Sequence, residues 1–148
     1  MVHTLIDESI GRLNKTLKQK ASEIEDPVER LEALARAYVD FALNHPREYQ
    51  IIYVVSSDEM ARYPKEKFRK ARKGYELLTS TIKEGIAKGI MQEEDPRTAS
   101  YTFWAQLHGV MSVVLTKRLD TRIDRSTFIE QAIEHIIDGF HIRTAVTR

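Results

Sequence analysis

An all-α fold of six helices is what this sequence predicts, and three observations predict it. Apolar residues recur at three- and four-residue steps along most of the chain, the period of a helix that buries one stripe. Asp26-Pro27 and Asp95-Pro96 each pair a capping carboxylate with a proline, which suits the first helical position because it lacks an amide that would be orphaned there. The one β-like run, Ile51 to Val55, has no second strand to pair with, and an isolated strand is not stable.

Residues 3–25 read as the first amphipathic helix. Ile6, Ile10, Leu13, Leu17, Ala21 and Ile24 share a side, with Arg12, Lys15, Lys18 and Glu23 elsewhere. Asp26 then caps a second helix, with Glu29 placed to reach back in a capping-box manner. That helix carries Leu31, Leu34, Ala35, Tyr38, Phe41 and Ala42 and ends at Asn44-His45-Pro46, since the residue before a proline resists helical angles. Pro46 opens a third, shorter helix, and residues 56–64 read as a loop. The fourth helix spans 65–91, with Phe68, Ala71, Tyr75, Leu78 and Ile82 on one stripe. Gly85 and Gly89 lie one turn apart near its end, where glycine costs about 1 kcal/mol relative to alanine. Their retention points to a close helix crossing or a frayed end. The fifth helix, Asp95 to Lys117, has no charged residue between Thr98 and Thr116 and is apolar on two sides. The expectation is that the rest of the chain is arranged around it and that a second copy covers its outer side. Residues 126–141 make the last helix, with Thr127 and Glu130 as a capping box.

The 148 residues suffice for one core, and a hydrophobic fraction of 42% argues against disorder. With 23 basic and 22 acidic residues, bulk charge makes no case for nucleic-acid binding. The absence of cysteine excludes disulfides, thiolate metal sites and cysteine nucleophiles. Gln106, His108 and neighbouring hydroxyls argue against a membrane span at 98–116. The first fifteen residues turn acidic and helical too early for a secretory signal, so a soluble cytoplasmic protein is the expectation.

The phrase DPRTASYTFWAQLHGVMSVVL resembles the helix of TetR-like transcriptional regulators that carries a Trp-x-x-x-His-Gly signature, here Trp104, His108 and Gly109. ARAYVDFALNHPREYQIIY is similar to that family's preceding helix pair, matched at Tyr38, Phe41, Ala42, Pro46 and Tyr49. GIAKGIMQEEDP resembles the run-in to the signature helix, and the likeness covers about Asp26 to Phe140. It implies the C-terminal half of such a regulator: a 1–25 connector helix and a 26–148 core that binds a small effector and forms a homodimer, chiefly through the last two helices. The family's N-terminal helix-turn-helix head, its route to operator DNA, has no counterpart before Asp26, so DNA binding is expected only through a head outside this sequence.

On that resemblance the effector pocket is expected within the subunit, with Tyr38, Phe41, Tyr53, Tyr75, Leu78, Tyr101, Trp104, His108 and Met111 as candidates. Aromatic walls with a few polar tips suit an apolar or aromatic small molecule, while the same residues at helical spacing also suit a plain core. The dimer interface is expected at Phe103, Val110, Val113, Val114, Phe128, Ile129, Ala132, Ile133, Ile136, Ile137 and Phe140. For His108 the structural reading is an imidazole bonded to a neighbouring helix; the functional one is an effector contact or pH sensor. Gly109 reads as a point where helices touch. His3, His45, His135 and His141 form no metal signature, and no cofactor is expected. The basic run from Lys65 to Lys73 reads as a solvated helix face. The competing function is a helical homodimeric protein-interaction module without a ligand. An enzyme is not expected, because no nucleophile–base pair or facing carboxylates stand out.

Overall fold

Asp26 accepts a hydrogen bond from the Glu29 amide at 2.9 Å and so starts the helix that organises the molecule. The computed structural model describes the backbone of residues 2–53 and 65–141, and the side chains of 8–50 and 73–141. Within those residues the chain forms six helices: α1 (Val2–Glu23), α2 (Pro27–Asn44), α3 (Pro46–Tyr53), α4 (Lys65–Ala87), α5 (Pro96–Leu115) and α6 (Arg125–Phe140). An isolated antiparallel bridge between Met91 and His141 is the one β-type pairing among them. The expected all-α architecture is therefore present. Val54, Val55 and the expected 56–64 loop lie outside the described residues.

The centre is α2, which corrects the expectation that α5 holds that place. Leu31, Leu34, Ala35, Ala37, Tyr38, Val39, Phe41 and Ala42 are all buried, spread around most of the α2 circumference. They meet α1, α3, α4, α5 and α6 in turn. Helix α5 instead buries a single stripe, Ala99, Ser100, Phe103, Leu107, Met111 and Val114. Its other side, Thr102, Ala105, Gln106 and Gly109, is exposed. Helix α6 packs on α2 and α5, with Phe140 edge-on to Phe103 at 5.4 Å.

This geometry corrects part of the expected dimer surface. Phe103, Val114, Ile129, Ile133, Ile136, Ile137 and Phe140 are each at most 9% exposed within one protomer, so they are core residues. They close the layer between α2 and the α5–α6 pair. Val110, Val113, Phe128 and Ala132 remain partly exposed.

Helix ends differ from the sequence reading where local geometry intervenes. Helix α4 stops at Ala87 because Gly89 takes a left-handed φ of 76°. The Ile90 amide then bonds the Gly85 carbonyl and the Gly89 amide bonds that of Ile86, the double closure of a Schellman turn. Gly85 is the close-approach glycine: a Cβ there would stand 2.6 Å from Met91 Sδ. The returning chain, not another helix, makes that contact. The end of α5 repeats the motif with Lys117 at φ 60°. Helix α6 begins at Arg125, not 126, because Asp124 caps it by accepting the Thr127 amide and hydroxyl, each at 2.9 Å. Thr127 thus sits inside the first turn and is not the cap.

Arg30 ties three elements together. Its Nε and Nη2 donate to the Ile24 and Glu25 carbonyls just past α1, and its Nη1 pairs with Glu84 of α4. Those contacts hold the Glu84 carboxyl below its usual range, with Lys88 adding to the effect.

Candidate functional site

Four helices leave a gap where their side chains do not fully interdigitate. Leu17 of α1, Leu34 and Tyr38 of α2, Gly74, Tyr75 and Leu78 of α4, and Trp104 and Leu107 of α5 surround a cavity of about 20 Å³. Gly74 makes room for the α1 crossing, since a Cβ there would meet Leu17 Cδ1 and Asn14 Oδ1 at 3.4 Å. The space suffices for about one water, whereas sites for drug-sized ligands run to about 300–1,000 Å³.

One wall of this cavity continues into an aromatic ladder. Tyr75 stacks on Tyr101 with centroids 5.0 Å apart and meets the Trp104 ring edge-on at 5.4 Å. Trp104 lies flat against His108, 4.9 Å away and one turn along α5. His108 in turn reaches the hydroxyl of Tyr49 through Nδ1, and Tyr38 donates to that hydroxyl at 2.7 Å.

Tyr49 accepts the Tyr38 hydroxyl, and its oxygen lies within hydrogen-bond distance of His108 Nδ1. Burial favours the neutral form of both groups. It pushes the Tyr49 hydroxyl up to about 12, against the opposing bond from Tyr38, and lowers His108 toward the neutral form. Burial also raises Tyr75, with Tyr101 and Tyr49 adding to the shift. The result is an aromatic wall that carries one imidazole held toward its neutral form.

Of the expected pocket residues, Tyr38, Tyr75, Leu78 and Trp104 line the cavity, while Tyr101 and His108 stack behind it. Met111 is fully buried away from it, and Phe41 faces a separate groove between α1 and α2. The side chain of Tyr53 lies outside the described residues. Sequence reasoning did not place Leu17, Leu34, Gly74, Leu107 or Tyr49 at the site. Gly74 carried a signal, because a glycine inside a strong helical pattern marks a close approach. Tyr49 carried none beyond its place in the family phrase. Among the described residues no cluster of His, Asp and Glu could hold a metal ion, and no helix is long and apolar enough to cross a membrane.

Residues 31–136 match the family model described as "Tetracyclin repressor-like, C-terminal domain". The chain belongs to that family. Its members are the C-terminal parts of transcriptional regulators, and this TetR-like domain has their helical fold. It is similar in structure to a protein of unknown function from Rhodococcus sp. RHA1, with a TM-score of 0.80 and 21% identity over 95% of this chain and 73% of that one. It is also similar to a TetR/AcrR-family transcriptional regulator from Thermobifida fusca YX-ER1, with a TM-score of 0.64 and 22% identity over 93% of this chain and 69% of that one. No curated protein matches the sequence. At these identities the structural likeness establishes the fold alone.

Proposed function

We propose that this TetR-like domain senses a flat aromatic or apolar small molecule and forms a homodimer. One observation carries the effector reading: the connector helix α1 contributes Leu17 to a cavity otherwise walled by Leu34, Tyr38, Tyr75, Leu78 and Trp104. A ligand that opens this gap cannot enter without pushing on α1. It would therefore favour whichever placement of α1 leaves the cavity wider, and shift the population by its differential affinity for the two. The Tyr75–Tyr101–Trp104 stack supplies faces for an aromatic ring, and His108 supplies the polar tip.

The dimer reading rests on the outer side of α5 and α6. Thr102, Ala105, Gly109 and Val113 follow one another at helical spacing without a charge, and on α6 Phe128, Ala132, His135 and Gly139 do the same. Among the described residues nothing beyond the helix's own backbone lies within 4 Å of a Cβ built at Gly109 or Gly139, which leaves room there for close approach by a second copy.

Trp104 is the single tryptophan, so its fluorescence reports on the cavity directly. Planar aromatic compounds such as indole and naphthalene are the first probes. A ligand at a hundred times its Kd stabilises by about 2.7 kcal/mol, which for a chain of this size raises Tm by about 5–10 °C. A saturable shift accompanied by a Trp104 emission change is the expected result. A panel that moves neither would favour a ligand-free interaction module. Sedimentation at micromolar concentration tests the dimer separately, and a monomer there would remove that part of the reading.

A further inference from the structure

We propose that the groove between α1 and α2 is a second binding site, for a small organic anion with an apolar or aromatic body. The groove holds about 420 Å³, within the range of about 300–1,000 Å³ typical of ligand sites and far above the interior cavity. Its floor is apolar: Leu13, Ala37 and Phe41 are 1%, 7% and 9% exposed. Its α1 side carries Arg12, Lys15 and Lys20, none of which is ion-paired among the described residues. Asp40 is the single carboxylate lining it, which leaves a surplus of positive charge.

Cations over a floor of buried carbons attract an anion more strongly than the same cations in open water, because low-dielectric matter on one side strengthens the field. The floor also gives an apolar body somewhere to bury area. Phe41 and His45, with ring centroids 5.3 Å apart, stand at the α2 end as a surface for an aromatic ring. A bare inorganic anion would use the cations and waste the floor; a neutral hydrocarbon would do the reverse. An aryl or alkyl carboxylate uses both. Bound there it bridges α1 to α2.

The probe is 2-naphthoate, titrated into the full chain at low ionic strength where charge attraction is least screened. Calorimetry should give one saturable site, and the Leu13 methyl resonances should move with it. Arg12→Gln with Lys15→Gln, both at exposed positions, should weaken binding by about tenfold and leave Trp104 emission unchanged. The neutral alcohol 2-naphthylmethanol and inorganic phosphate should each bind at least about tenfold more weakly. Equal affinity in the double variant would place 2-naphthoate elsewhere and overturn the proposal, as would an unmoved Leu13. Phosphate binding as well as naphthoate, or the alcohol binding as well, would equally overturn it. None of these results bears on the interior cavity, which Trp104 reports independently.

Discussion

Gly74→Ala tests the α1–α4 crossing and the effector reading together. Glycine inside a helix costs about 1 kcal/mol relative to alanine, and Gly74 lies well within α4. The cost of the new methyl is set by its two nearest atoms, Leu17 Cδ1 and Asn14 Oδ1, both at 3.4 Å. That distance is tight but not a clash. Leu17 borders the cavity of about 20 Å³ and can yield into it. The propensity gain should therefore survive nearly whole, raising stability by about 1 kcal/mol and Tm by about 2–4 °C. The same methyl occupies space the effector needs and takes up the freedom of Leu17 to move. Differential scanning fluorimetry with and without a cavity ligand checks both parts. Gly74→Ala should melt higher than the parent in the absence of ligand and gain less from its addition. A lower melting point would mean that α1 lies closer to α4 than this crossing allows. An undiminished ligand gain would mean that the effector does not enter beside Gly74.

Two further outcomes are expected. Lys117 holds a left-handed φ of 60° at the end of α5, a conformation that costs a non-glycine residue about 1–2 kcal/mol, so Lys117→Gly should stabilise by about 0.5–1 kcal/mol in urea unfolding after its own entropic cost; destabilisation would contradict that turn. His108 is held below its ordinary value of 6.5 by burial, so the folded state takes up its proton later than the unfolded chain as pH falls. Its contribution is complete above 6.5, begins to be lost as pH falls below 6.5 and is gone below the lowered folded value, whereas Glu84 and Asp95 begin to lose theirs only as pH falls through their ordinary values of 4.5 and 3.8. Stability measured by denaturant midpoint should decline across that upper window in the parent and be flatter in His108→Gln; parallel profiles would show that His108 is not desolvated.

Much of the fold was legible because its signals are local. Asp26 with Pro27 and Asp95 with Pro96 start helices through contacts within one turn, and those contacts are present. The three- and four-residue spacing identified the longer helices for the same reason, while α3 was read as helix because its β-like run has no strand to pair with. Part of the cavity wall was legible through the family resemblance, on which Tyr38, Tyr75, Leu78 and Trp104 were pocket candidates, and these four line one cavity. Leu17 and Leu34 were not, because nothing distinguishes a leucine beside a cavity from a leucine beside another leucine. The cap of α6 was misplaced by three residues because Thr127 and Asp124 are both good caps, and only the bond from the Thr127 amide to Asp124 separates them.

By itself the sequence determined the helices, the starts of α2 and α5, the aromatic inventory and a stretch of α5 free of charge from Thr98 onward, since each depends on side-chain type and on neighbours a turn away. Tertiary structure alone decided that α2 is the centre, that Phe103 and the α6 isoleucines belong to the protomer's own core, and that Tyr38, Tyr49 and His108 form one hydrogen-bonded chain. Those outcomes depend on how helices cross, and a stripe of apolar residues records that it will be buried without recording by which neighbour.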